Sequence, residues 1–309
     1  MREGAGRWPV VAGVDGSECG LQAVRWAAAE AARRHLPLRL VAAHAWPAGG
    51  LVGDPGLGVD PRAVLRDLAL RHLDVAAGEA AQVADDVEVE RVEVTGFPEA
   101  VLGSESRRAE LVVVGDRGLG GFTGLLVGSV AVALAAHAEC PVVVVRGMEP
   151  DLAAPLPERI VVGVDGSPAS EAALAFAFDA ADLRRVPLAA VHAWWDLVVD
   201  PTMGPLVDWD AVDADEHEVL AERLAGWAES YPDVPVRRLV VRDRPARALV
   251  EESGRAQLVV VGSRGRGGLR GMLLGSVSQA LLHHAHCPVA VVRQSAASAS
   301  DDTAQLGAR

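Results

Sequence analysis

The sequence predicts an α/β protein made of two tandem units, 7–147 and 158–294, each a doubly wound parallel sheet of five strands. Three observations carry that expectation. The chain repeats itself at a nearly constant offset, so a whole domain is duplicated. Within each copy, apolar runs of strand length alternate with longer amphipathic stretches, the order of βαβ units. Runs such as 111–114, 258–261 and 142–145 are apolar without interruption, the pattern of strands buried on both faces of a parallel sheet.

The repeat is read from "VVAGVDGSECGLQAVRWAAAEAARRHLPLRLVAAHAW", from Val10, which returns as "IVVGVDGSPASEAALAFAFDAADLRRVPLAAVHAWW", from Ile160. The offset is 150 between Asp15 and Asp165, 148 between His44 and His192, and 147 between Gly115 and Gly262. In the first copy the elements run "WPVVAGVD" as a strand, "ECGLQAVRWAAAEAARRH" as a helix, "LPLRLVAAH" as a strand, and later "AELVVVG" and "CPVVVVR" as strands. Between the copies, Pro150, Pro155 and Pro157 in "GMEPDLAAPLPER" oppose helix and central strand, which marks a short linker with the boundary near Leu156. The final "SAASASDDTAQLGAR" is polar and without periodicity and predicts a tail.

Composition narrows the function. With 309 residues, half of them apolar, and a formal charge of −13, the chain repels polyanions, so no nucleic-acid partner is expected. Cys19, Cys140 and Cys287 are odd in number and show no CxxC spacing, which suits a reducing compartment. "MREGAGRWPV" does not read as a signal peptide, and no run of ~18 apolar residues predicts a membrane span; the expected location is the cytoplasm. All 29 basic residues are arginine. Without lysine, a Walker P-loop, a protein kinase and a pyridoxal enzyme are excluded.

The candidate site is the glycine loop that follows an apolar strand twice, "VVVGDRGLGGFTGLLVGSV" from Val112 and "VVVGSRGRGGLRGMLLGSV" from Val259. Gly115, Gly118, Gly128 and Ser129 share the spacing GxxGx9GS with Gly262, Gly265, Gly275 and Ser276. Glycines let backbone N–H groups approach an anion, and Ser129 opens a helical pattern whose N-terminus it is expected to cap, so a polyphosphate fits between loop and helix. The same glycines could serve only to turn strand into helix; their recurrence at fixed spacing weighs against that. GxGxxG after the first strand and a GxSxG elbow are both absent.

Asp15 and Asp165 in "GVDGS" stand at strand ends facing the loops. Each is expected to hold Mg²⁺ through water or to meet a ribose hydroxyl, the competing reading being an Asx-turn or helix cap. Gly13 and Gly163 keep the cleft floor low. The cluster "HHAHC", His283 to Cys287, suits a helix C-terminal end better than zinc, because the first copy keeps only "HAEC". His44 and His192 read as packed strand ends, and Trp46, Trp194 and Trp195 as cover over the cleft.

These residues resemble the universal stress protein family, in its tandem, nucleotide-binding branch. The resemblance rests on both GxxGx9GS loops, "GVDGS" and "GSVSQALLHHAHCPVAVVR", and spans all but the ends and linker. It implies the adenine nucleotide alpha hydrolase-like fold, one ATP with Mg²⁺ per domain, and a regulatory role in stress or dormancy. The nucleotide site it implies in the first unit is Gly13, Asp15, Ala45, Gly115, Asp116, Arg117, Gly118, Gly120, Gly121, Gly128, Ser129 and Val130. In the second unit it is Gly163, Asp165, Ala193, Val261, Gly262, Ser263, Arg264, Gly265, Arg266, Gly267, Gly268, Gly275, Ser276 and Val277. Adenine is expected on backbone at Ala45 and Ala193. The expected partners are an adenine nucleotide, a second copy of the chain and an unidentified protein.

The units depart from one another in two ways. Asp243 replaces Gly96, so the second cleft is expected to be narrower or more acidic. Arg264, Arg266 and Arg270 face a single Arg117 beside Asp116, so the second site is expected to hold triphosphate more tightly. No base recurs beside both loops, which favours a nucleotide-sensing module over its alternative, a slow ATP-hydrolysing enzyme.

Overall fold

The computed structural model describes residues 8–45, 60–118, 127–146, 158–194, 208–266 and 273–294. The expected linker up to Pro157, the tail, Trp46, Trp195 and Arg270 lie outside them. The chain divides into two compact units, Met1–Glu149 and Pro150–Arg309.

The first unit runs β1 (Val10–Gly13), α1 (Glu18–Arg34), β2 (Leu38–His44), α2 (Pro61–Val83), β3 (Val89–Thr95), α3 (Pro98–Glu105), β4 (Leu111–Gly115), α4 (Ser129–His137) and β5 (Val142–Val145). Its strands are ordered β3-β2-β1-β4-β5 and all pair in parallel. Val10 stands beside Leu38 on one side and Leu111 on the other. The second unit runs β6 (Arg159–Gly163), α5 (Pro168–Arg184), β7 (Leu188–Trp194), α6 (Trp209–Ser230), β8 (Val236–Arg242), α7 (Pro245–Ser253), β9 (Ala256–Gly262), α8 (Ser276–His284) and β10 (Val289–Val292). Its order, β10-β9-β6-β7-β8, is the same and also parallel. Each unit is therefore a doubly wound α/β sheet of five strands.

The physical cause is continuous burial. Val10, Val11 and Leu111 to Val113 are wholly buried, as are Ile160 to Val162 and Leu258 to Val260, because helices cover both faces. In the first unit α1 packs with α2, and α3 with α4. The edge strands β3 and β8 differ: "VERVEVT" and "VRRLVVR" keep charged residues exposed, as an edge open to water allows.

Helix α1 begins at Ser17, whose side chain accepts a hydrogen bond from the Gly20 N–H, and ends at His35 in the left-handed region with φ 53°. Its buried stripe is small, Ala23, Ala27, Ala28 and Ala31, so the helix lies close on the sheet. The only fully buried carboxylate among the described residues, Glu30, pairs with Arg34 at 2.7 Å. Among those residues, no helix is long and apolar enough to cross a membrane.

The strand order reverses direction between β1 and β4, and between β6 and β9. A cleft outside the carboxyl ends of such strands is where doubly wound sheets take ligands.

Candidate functional site

The turn after β1 is built by Asp15, Gly16 and Ser17. Asp15 Oδ1 accepts hydrogen bonds from the Ser17 N–H at 3.0 Å and the Ser17 hydroxyl at 2.6 Å. Gly16 has φ 85°, a conformation that disfavours any side chain. The same turn recurs after β6, where Asp165 Oδ1 accepts from the Ser167 N–H at 2.9 Å and Gly166 has φ 73°. Asp15 and Asp165 are thus Asx-turn residues that also face the glycine loops. A Cβ on Gly118 would strike Asp15 Oδ2, and one on Gly265 would strike Asp165 Oδ2.

The other glycines do separate work. A Cβ on Gly115 would stand 2.8 Å from the Cys19 backbone, and one on Gly262 would stand 2.9 Å from the Ala169 backbone. Those two glycines let the helix after the first strand press against the neighbouring strand. The Gly128 and Gly275 N–H groups donate to the Asp116 and Ser263 carbonyls, at 2.7 and 2.8 Å, closing each loop onto itself.

Contrary to expectation, Ser129 does not cap its helix, and its counterpart Ser276 does not either. Gly128 and Gly275 occupy the cap positions with extended backbone, and each serine is the first helical residue. The serines line the cavities instead, beside the free N–H groups of the first helical turn.

Between turn and loop lies a cavity of about 510 Å³ in the first unit. Of the expected residues, it brings together Gly13, Asp15, Gly115, Arg117, Gly118, Gly128, Ser129 and Val130. The second unit's cavity, about 290 Å³, brings together Gly163, Asp165, Ala193, Val261, Gly262, Arg264, Gly265, Arg266, Gly275, Ser276 and Val277. Gly120, Gly121, Gly267 and Gly268 lie outside the described residues.

Three expected residues do not line the cavities: Ala45, Asp116 and Ser263. Asp116 and Ser263 follow a strand-end glycine, and alternation along extended backbone turns them inward, where they are 2% and 4% exposed. Asp116 lies against Cys19; burial, and next the Asp116 charge, push that thiol's pKa up.

Ala45 reflects a misplaced repeat. Val41 stands beside Gly13 and Val191 beside Gly163, so the two strands correspond at an offset of 150 rather than 148. Ala43, not Ala45, is the counterpart of Ala193, and both line their cavities. His44 and His192 are therefore not equivalent. His44 Nε2 meets Glu93 at 2.6 Å, whereas the buried His192 faces the Val164 carbonyl at 2.7 Å and Glu216 at 2.8 Å.

Two further expectations are corrected. Trp194 does not cover the cleft; it stacks on Trp209, with the Arg242 guanidinium 3.8 Å from the Trp209 ring centre. Of the two outcomes expected from Asp243, a more acidic or a narrower cleft, the first is not met: Asp243 does not line the second cavity, and its carboxylate accepts from the Arg244 N–H at 2.6 Å and faces Arg247 at 3.5 Å. The second cavity is nevertheless narrower. Ser170, Leu274 and Ser278 stand where the first has Gly20, Val127 and Ala131. Ser170 also uses its hydroxyl to accept from the Asp165 N–H at 3.1 Å.

The model of the universal stress protein family matches residues 8–146 and 157–293. The chain belongs to that family. It is 43% identical over 305 residues to a universal stress protein of Mycobacterium tuberculosis (strain H37Rv), covering 96% of this chain and 99% of the relative. A second universal stress protein of the same strain is 45% identical over 291 residues, covering 93% and 97%. The fold is shared with a universal stress protein from Archaeoglobus fulgidus, at a TM-score of 0.62 and 18% identity, over 93% of this chain and 98% of that one. Both units of this universal stress protein, not one alone, carry the Asp turn and the glycine loop.

The apolar walls escaped sequence reasoning. Pro98 and Leu102 of α3 and Pro245 and Leu249 of α7 line the cavities, together with Val14 and Val114 in the first unit and Val164 in the second. A usable signal existed: "FPEAVL" and "RPARAL" repeat a proline followed four residues later by leucine, one turn along a helix face.

Proposed function

We propose that each unit binds one adenine nucleotide, ATP, and that the protein is a nucleotide-sensing regulatory module of the stress or dormancy response. The observation that supports this most is the pairing of two unlike walls in one cavity. One wall is apolar, Val41, Ala43, Leu102 and Val114 in the first unit, suited to a flat base read through strand backbone. The other is the loop from Gly115 to Gly118 with the first turn of α4, a row of N–H donors at a helix N-terminus suited to phosphates. At about 510 Å³ the first cavity is of the size that small ligands occupy, roughly 300–1,000 Å³, and the second, at about 290 Å³, stands at the lower edge of that range.

A single carboxylate per cleft fits Mg²⁺, which keeps most of its waters and is commonly carried by substrate phosphates with one or two carboxylates. Asp15 and Asp165 would hold it through water, and it would neutralise charge on the bound triphosphate. The residues' own contribution is to orient: Arg117, Arg264 and Arg266 bring positive charge to the cavity edge.

Binding rather than turnover is favoured by what lines the cavities. No histidine or glutamate stands among the described lining residues, and Asp15 and Asp165 are engaged by the serines of their own turns. Among the described residues, a water molecule at the terminal phosphate would thus meet no base outside those turns. Phosphate release at rates typical of enzymes, on the order of 1 s⁻¹ or faster, would overturn this part of the reading. A second copy of the chain and a protein that reads the bound state complete the proposed module.

The direct test is chemical. Purified protein is denatured and the released small molecules are identified, with added Mg²⁺ and ATP titrated calorimetrically into stripped protein. ATP retained, or bound with micromolar or better affinity, supports the proposal; neither retention nor binding overturns it.

A further inference from the structure

We infer that Arg223 of α6 is a specificity residue of the second nucleotide site, selecting ligands by the number of their phosphates. The inference rests on the nucleotide reading above and assigns a role to a residue outside the cavity lining.

Arg223 reaches the site at Gly166. With φ 73°, that residue disfavours any side chain, and the place a Cβ would take is filled by two guanidinium groups, those of Arg223 and Arg266. The two like charges stand side by side above the turn that holds Asp165. Arg266 lines the cavity, and its backbone N–H donates to Asp165 Oδ2 at 3.1 Å. Arg223 donates through Nη1 to Glu171 at 3.1 Å, while its buried Nε has no hydrogen-bond partner among the described residues. One partly exposed carboxylate therefore serves the pair on the Arg223 side, and a multiply charged anion arriving at this rim would relieve the repulsion and supply acceptors.

Position decides which part of a nucleotide is read. Base, ribose and inner phosphate would be enclosed by the lining residues. Arg223, beyond the lining, would meet only what projects past it, the outer phosphates.

Among the described residues, the first unit lacks this device. Above Gly16 stands the His72 ring. Counting back from the helix ends at Ala84 and Tyr231, Ala76 holds on α2 the place that Arg223 holds on α6. Leu21 likewise stands where the second unit has Glu171. The acid and the arginine are present together in one unit and absent together in the other.

The test uses the full chain with one site silenced, Gly118→Asp leaving the second and Gly265→Asp leaving the first. Each is titrated with ATP and AMP, with and without Arg223→Gln. At the second site Arg223→Gln should weaken ATP roughly tenfold while AMP changes less than about twofold, and the first site should keep its ATP-to-AMP ratio. Arg223→Lys, which keeps the charge and loses the planar fork, should fall between. Glu171→Gln separates ligand reading from a structural ion pair: releasing Arg223 should strengthen ATP relative to AMP. If Arg223→Gln weakens ATP and AMP equally, or neither, or if Glu171→Gln weakens ATP as Arg223→Gln does, the inference is overturned while the nucleotide reading stands. A wild-type chain that binds no nucleotide overturns both.

Discussion

The side chain of Asp165 accepts a hydrogen bond from the backbone N–H of Arg266, 101 residues later, at 3.1 Å. This contact ties the turn after β6 to the glycine loop after β9 across the mouth of the cavity. A second tie runs beside it, from the Ser167 hydroxyl to the Arg264 carbonyl at 3.4 Å, and the first unit repeats that one between Ser17 and Arg117 at 3.4 Å. Each cleft thus has its two edges joined by the protein's own hydrogen bonds, which lowers the ordering cost of binding.

Ser17 and Ser167 cap the 17-residue helices α1 and α5 by accepting from the N–H groups of Gly20 and Ser170. Ser17→Ala or Ser167→Ala should destabilise its own unit by about 1 kcal/mol, the usual worth of such a cap. Urea denaturation read separately on the two units checks this. An unchanged midpoint in either variant would show that the neighbouring Asp turn holds the helix end without the serine.

Thiol chemistry reports on the inward turn of Asp116. Burial, followed by the Asp116 charge, raises the Cys19 pKa, so at a given pH less of it is thiolate than in an exposed cysteine. Cys140 is pushed up to about 12 by burial and should stay unlabelled in the folded chain. Asp116→Asn removes a charge that opposes the thiolate; the Cys19 pKa should fall and iodoacetamide labelling at pH 8 should quicken at least ~threefold. An unchanged rate would mean that Asp116 does not face the thiol in solution.

The two sites should be unequal. Arg264 and Arg266 line the second cavity, where the first has Arg117 alone, 3.7 Å from the buried Asp116 carboxylate. One additional cation ~6 Å from a phosphate at an effective dielectric of 20 contributes roughly 3 kcal/mol, of which solvent screening leaves about 1. ATP should therefore bind the second site several-fold more tightly, and raising salt should narrow the gap. Equal affinities, or a gap indifferent to salt, would refute the electrostatic account.

Much of this was legible in the sequence because it rests on backbone demands. A parallel sheet buried on both faces requires runs such as "LVVVG", and the φ of Gly16 and the close approaches at Gly115 and Gly118 admit little but glycine. Where identity tolerates substitution, reading failed. The apolar wall from Leu102 and Val114 uses residues that any core would use. The repeated "HAW" slid the second strand by two residues, a shift that keeps each side chain on the same face and so leaves no polarity signal. Asp116 reads as a loop carboxylate until the alternation after Gly115 turns it inward.

The central claim is that each glycine loop holds a nucleotide against its aspartate. Gly118→Asp and Gly265→Asp place a side chain where Asp15 Oδ2 and Asp165 Oδ2 stand and add a negative charge to the wall proposed for phosphates. The decisive measurement is the calorimetric stoichiometry of Mg²⁺ and ATP binding to the wild-type chain, each single variant and the double variant, with circular dichroism to verify the fold. The account predicts two, one, one and no sites per chain. Two sites persisting in both single variants, with the fold intact, would contradict it.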